Sequence, residues 1–201
     1  MKVRLYLSHI DPLAQQAADG FSQYRLAKLR RTTNPKRRAQ GICSERLLIH
    51  ALRDADSEIH LPPEIRTNEY GKPELENSLL HFSLSHSGGY CASAVGSAVI
   101  GADIQKRAMF DRRIAERNFS AAELEFVLNA EDMDAAFTKI WAMKESYVKA
   151  LGKGLAMPLS SFCTLTCGAA FFTGEHDGHF YAVCSPTDSL EMLETVIVQT
   201  L

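Results

Sequence analysis

The run Phe137–Leu151 contains no glycine or proline and is closed by Gly152, the pattern of a long helix with a glycine C-cap. That helix sits among strand-like runs. Val3–Ser8 alternates as V-R-L-Y-L-S, His81–Ser85 alternates as H-F-S-L-S, and Tyr90–Ile100 is small, β-branched and apolar. After the helix, SFCTLTC, AAFFTGE, GHFYAVC and LETVIVQ read as strands from Ser161 to the tail. Further helical signals come earlier. One starts at Pro12 and ends near Gly20, and Gln40–Leu52 carries apolar residues three and four apart. Ser120 followed by Glu123 is a capping-box pattern opening a helix towards Asn129. Pro62, Pro63 and Tyr70–Pro73 mark loops. The order is strand–helix–strands and then helix–strands again. It predicts an α+β fold in two halves, 1–98 and 99–201, joined near Ser97–Gly101.

Composition narrows the function classes. The 201 residues are 46% hydrophobic and 23% charged, as in globular chains and unlike disordered ones. The net charge of −2 makes the whole molecule no trap for polyanions. Yet Arg25–Arg38 (RLAKLRRTTNPKRR) holds seven basic residues and no acidic one, and such a segment is either a solvated surface or a phosphate-binding patch. Nucleic-acid binding ranks below both, since aromatic residues are absent from the segment and no recognised module surrounds it. Five scattered cysteines, an odd number, read as small buried thiols rather than a disulfide framework or a zinc site. The N-terminal MKVRLYLSHIDPLAQQ has no apolar run of signal-peptide length and no stretch approaches the roughly 20 apolar residues of a membrane span, so the expectation is a cytoplasmic protein that does not enter a membrane.

Four segments carry the chemistry. Asp103 lies in the apolar run IGADIQK, where alternation points it to the same side as Gln105. Taken alone, it reads slightly better as a capping or salt-bridged strand-end residue than as a ligand. In KIWAMKESYVKALGKGL, Glu145 and Lys149 share a helix face with Trp141. An ordinary i,i+4 ion pair would explain that spacing. Together, a carboxylate on a strand and one on a helix can share a hard cation such as Mg²⁺. YGKP, followed by HFSLSHSGGY, supplies Lys72 and a donor-rich turn around Ser85 and His86, suited to phosphate oxygens or simply to ending a strand. A hydrolase reading of Ser and His lacks the G-x-S-x-G elbow.

In order and spacing, YGKP, FSLSHSGG, IGADIQK, NFSAAE and WAMKESYVKALGKGL resemble the 4′-phosphopantetheinyl transferases, specifically the surfactin-type (Sfp-like) group. The resemblance implies two similar α+β halves with pseudo-twofold symmetry. It also implies transfer of phosphopantetheine from coenzyme A, the co-substrate, to a serine of an apo acyl or peptidyl carrier protein, leaving 3′,5′-ADP. It implies Mg²⁺, with Mn²⁺ as a substitute, held by Asp103 and Glu145, with Gln105 standing where many relatives have Glu. Lys72, Ser85, His86 and Lys149 would bind coenzyme A phosphates, and Arg25 and Lys28 its 3′-phosphate and adenine end. Lys149 would also stabilise the leaving group. Glu145 is the candidate base, with a metal-bound water as the alternative relay.

The family has a basic residue just before the helix around Cys43. Gapless matching puts Gln40 there, and Arg37 or Arg38 serves after a small shift. Two halves in one chain imply a monomer. The rival of a different class is a non-catalytic module that binds coenzyme A or a carrier protein, kept open by Gln105.

Overall fold

The computed structural model describes residues 2–11, 14, 19–187 and 191–199. Along the chain run β1 (Lys2–His9), α1 (Gln23–Arg31), α2 (Pro35–Ala55), β2 (Ile65–Thr67), β3 (Pro73–Leu75), β4 (His81–Ser87) and β5 (Tyr90–Gly96). They are followed by β6 (Gly101–Lys106), α3 (Arg112–Asn118), α4 (Ala121–Leu128), α5 (Met133–Leu151), β7 (Ala170–His176), β8 (His179–Ser185) and β9 (Glu191–Val198). The helix expected from Pro12 falls largely outside the described residues. Among the described residues no helix is long and apolar enough to cross a membrane.

The fold is α+β and internally repeated. In the first half β1 leads into α2 and then the β4–β5 hairpin, with sheet order β4–β5–β1. In the second, β6 leads into α5 and then the β7–β8 hairpin, with order β7–β8–β6. In both, the first strand pairs antiparallel with the second strand of the hairpin. β9 departs from the repeat: it returns from the second half to pair parallel with β1.

Alternation builds the layers. Val3, Leu5 and Leu7 of β1 face the second sheet and pack with Ile100, Ile104 and Val183. Tyr6 faces the other way, into the core formed by α2. α5 covers the outer face of the second sheet through Phe137, Ile140 and Met143. The result is helix, sheet, sheet, helix. Gly101 lets α5 lie flush on β6, because a Cβ there would run into the Ser146 carbonyl and the Ala150 backbone.

The helix ends follow local chemistry. Asn34 caps α2 with Pro35 in its first turn, Ser120 and Glu123 form the complete capping box, and Gly152 ends α5 at φ 67°. The basic segment is accordingly two helices, broken at Thr32–Asn34.

Three features differ from the sequence reading. SFCTLTC is not a strand: a 3₁₀ turn at Leu159–Ser161 leads into further turns. The Leu159 and Phe162 carbonyls accept from Lys144 and the Thr164 N–H donates to Glu123, so no ladder forms. Cys43 of α2 and Cys91 of β5 are joined in a disulfide rather than kept as thiols, while Cys163, Cys167 and Cys184 are free. That pairing follows from α2 packing over β5, a contact that sequence spacing does not encode. Finally, short strands β2 and β3 flank the YGKP loop and α3 precedes the capping box.

Candidate active site at the seam between the sheets

β4 is the edge strand of the first sheet, β6 the edge strand of the second, and serines stitch them together. The alternation F-S-L-S-H-S turns Ser83, Ser85 and Ser87 towards β6. Ser83 Oγ accepts from Ala102 N–H at 2.8 Å, Ser85 Oγ donates to Asp103 Oδ1 at 2.6 Å, and Ser87 Oγ accepts from Lys106 N–H at 3.0 Å. Sequence reasoning missed Ser83 and the ladder arrangement, though not Ser85 and Ser87 of the donor-rich turn; the signal is the period-two serine pattern.

Asp103 is the hub. Its side chain is 3% exposed, and each oxygen is engaged: Oδ1 by Ser85 and by Lys149 Nζ at 2.6 Å, Oδ2 by Gln105 Nε2 at 2.8 Å. Gln105 thus lies on the same face as Asp103, as the alternation requires. Lys149 takes Asp103, rather than Glu145, as its ion-pair partner and also donates to the carbonyls of Ala102 and Leu84. Glu145 stands one turn earlier on α5. Burial raises its carboxyl above the ordinary range, and the facing charge of Asp103 adds to the rise, with Lys149 opposing.

The other predicted residues are placed as follows. His86 lies at the rim, where partial burial lowers its imidazole pKa, helped by the charges of Lys149 and Arg25 and opposed by Asp103. Arg25 lies on α1. Its Nε pairs with the buried carboxylate of Glu45 at 3.2 Å, which also accepts from Ser22 N–H. Lys28 is exposed and sits over the ring of Tyr24, 4.3 Å from its centroid. Arg38 donates to the Leu29 carbonyl at 2.8 Å, Arg37 is exposed, and Gln40 is half-buried.

Lys72 closes the other end of the seam. Its ammonium donates to the carbonyls of Ala150 at 3.0 Å and Ile100 at 3.3 Å, and burial lowers its pKa. Asn68 shapes this loop, accepting from the N–H groups of Tyr70 and Lys72 and donating to the Gly152 carbonyl. Here a cleft of about 220 Å³ opens between Tyr70, Lys72, Phe82, Leu84, Lys149 and Gly152. Another, of about 270 Å³, opens beside Gln105 against Ile114, Phe137 and Trp141.

The donor set suits one hard divalent cation. Asp103 and Glu145 are carboxylates whose repulsion a cation would relieve, and Gln105 contributes an amide beside them. Such a sparse oxygen set is typical of Mg²⁺, which keeps waters and substrate oxygens in its remaining positions. Among the described residues no three His, Cys, Asp or Glu side chains cluster as a ligand set.

A second lysine of α5, also outside the sequence reading, has a different task. Lys144 is fully buried and gives its three protons to Glu123 Oε2 at 2.7 Å, the Phe162 carbonyl at 2.8 Å and the Leu159 carbonyl at 2.9 Å. Burial acts most strongly on Glu123, opposing ionisation, but the donors Lys144, Thr164 and Ser120 outweigh it and hold the carboxyl below its usual range. This pair fixes α4, α5 and the segment around Leu159–Thr164 to one another.

Sequence comparisons relate this chain to known proteins. The family model described as the 4′-phosphopantetheinyl transferase superfamily covers residues 99–188. The 4′-phosphopantetheinyl transferase psf-1 of Bacillus pumilus is 43% identical over 99 residues, 48% of this chain and 42% of that protein. The Sfp enzyme of Bacillus subtilis (strain 168) is 44% identical over 102 residues, 48% of this chain and 44% of that one. The matched stretch thus spans less than half the length of these Bacillus relatives. The 4′-phosphopantetheinyl transferase AcpT of Salmonella typhimurium is 33% identical over 158 residues, 75% of this chain and 78% of that protein. On its identity and its coverage of both chains, this protein belongs to the 4′-phosphopantetheinyl transferase superfamily.

Proposed function

We propose that this chain transfers the phosphopantetheine arm of coenzyme A to a serine hydroxyl of an apo acyl or peptidyl carrier protein, releasing 3′,5′-ADP. The observation that carries the reading is Asp103, a buried carboxylate gripped by Ser85, Gln105 and Lys149 at the seam, with Glu145 one turn before Lys149 on α5. Asp103 and Glu145 would hold the Mg²⁺, with Gln105 touching it or a water on it, and the ion would draw charge from the diphosphate oxygens.

The side chains of this chain do the rest. Lys149 turns from Asp103 to the diphosphate and, with Lys72, stabilises the charge that builds on the leaving side. His86 hydrogen-bonds phosphate oxygens at the mouth, Ser85 beside it keeps its hydroxyl proton on Asp103, and Arg25, already oriented by Glu45, meets the 3′-phosphate with Lys28 beside it. Glu145 takes the proton of the carrier serine at its carboxylate. The serine oxygen bonds to phosphorus, the bridging phosphorus–oxygen bond breaks, and Lys149 stabilises the departing phosphate. The apolar cleft beside Gln105 gives the uncharged part of the arm a place.

Halves 1–98 and 99–201 meet at β4 and β6, which supports a site complete within a monomer. The test is incubation with coenzyme A, Mg²⁺ and a panel of apo carriers, followed by weighing the carriers. A gain of one phosphopantetheine arm is expected. Coenzyme A binding with no gain on any carrier would instead favour the non-catalytic module.

A further inference from the structure

Two hairpin turns meet at the end of β6 opposite Lys72. The β4–β5 turn is Gly88–Gly89, at φ 57° and 106°, and the β7–β8 turn is Asp177–Gly178, at φ 47° and 66°. Each is a two-residue turn with both central positions left-handed. Tyr90 lies between them. Its ring centroid is 4.8 Å from that of His179, 5.5 Å from that of His176 and 5.4 Å from that of His9, and its hydroxyl donates to Asp177 Oδ2 at 3.2 Å.

Backbone groups complete the contact. Ile10 N–H donates to the Gly89 carbonyl at 2.7 Å and Arg107 N–H to the Gly178 carbonyl at 2.9 Å. His179 is 4% exposed, and its Nδ1–H donates to the Asp177 carbonyl at 2.7 Å. Among the described residues its Nε2 is buried without a hydrogen-bond partner. The face it meets is Gly88, where a Cβ would lie 2.5 Å from that nitrogen and 2.6 Å from Lys106 Cβ. The ring is therefore a stop against the turn, and glycine is the residue that fits beneath it.

We propose that the β7–β8 turn clamps the β4–β5 turn, with His179 as a positioning residue that acts through Gly88 to hold Ser85 and His86 in place for coenzyme A. His86 is two residues before Gly88, and Ser87 between them is already tied to β6 through Lys106. The clamp itself stands on geometry; its effect on coenzyme A rests on the function proposed above.

The experiment compares wild type with His179→Ala and His179→Phe, the latter keeping a ring over Gly88. In His179→Ala, amide exchange at Ile10 and through 87–90 should quicken about tenfold or more as local opening becomes easier. The KM for coenzyme A should rise about tenfold with kcat near wild type, and His179→Phe should recover most of both. Unchanged exchange in His179→Ala overturns the clamp, and His179→Phe behaving like His179→Ala overturns the ring stop. Fast exchange with an unchanged KM overturns the link to coenzyme A. A folded wild type that transfers nothing overturns the proposed function instead and leaves the exchange result to judge the clamp.

Discussion

Of the three lysines of helix α5, Lys144 and Lys149 each lie within 2.7 Å of a carboxylate, and they do opposite things. Lys144 and Glu123 are both fully buried, and the lysine's three protons are committed. Lys149 is 31% exposed and meets Asp103 at the edge of a cleft. The first pair is a fixed cross-link, because parting it would strand two desolvated charges. The second can exchange partners, because water reaches the ammonium and Asp103 retains Ser85 and Gln105 as donors. Exposure separates structure from function here; pairing does not.

The largest expected effect on stability breaks the fixed pair. Lys144→Met should cost about 3–5 kcal/mol in denaturant unfolding, since it leaves Glu123 buried and uncompensated. Lys149→Met should cost less, about 1–2 kcal/mol, because the ammonium is part-exposed and the buried Asp103 keeps Ser85 and Gln105 as donors. Equal losses would erase the contrast between the pairs. In activity the order reverses. Lys149→Met should lower transfer about 10²–10³-fold, the scale of losing one transition-state donor, measured on a fully folded sample.

The buried pair also predicts a pH dependence. The Glu123 carboxyl is held below its ordinary value of 4.5, so the unfolded chain binds its proton first as pH falls. The stability it contributes is present above about pH 4.5 and is lost as pH drops through the lowered native value. Glu123→Gln should flatten that acid limb of unfolding free energy against pH; an unaltered limb would mean that other carboxylates carry it. Smallest of all, Ser87→Ala removes one rung of the ladder and should cost about 0.5–1.5 kcal/mol by the same unfolding assay.

Local signals were readable in the sequence: the alternation of β1 and β4, the capping box at Ser120, and α5 ending at Gly152. So was the shared face of Asp103 and Gln105. What escaped depends on contacts between distant segments. Lys144 looked like any helix lysine, because its partners are a cap residue of another helix and two carbonyls further along. The apolar look of SFCTLTC suggested a strand, but side chains had claimed its backbone groups. Nothing local announced that β9 returns to β1, that Cys43 meets Cys91, or that Arg25 is oriented by Glu45. Gly101 and Gly88 had readable identities whose reasons, a helix and an imidazole pressed against them, are tertiary.

In the proposed reaction a divalent cation and the coenzyme A diphosphate meet at Asp103. Calorimetric titration of coenzyme A into wild type and Asp103→Asn, with and without Mg²⁺, tests it most directly. Mg²⁺ should tighten binding about tenfold or more, roughly 1.4 kcal/mol, in wild type and leave Asp103→Asn unchanged. The same affinity with and without Mg²⁺ in wild type, or full tightening retained in Asp103→Asn, would contradict it.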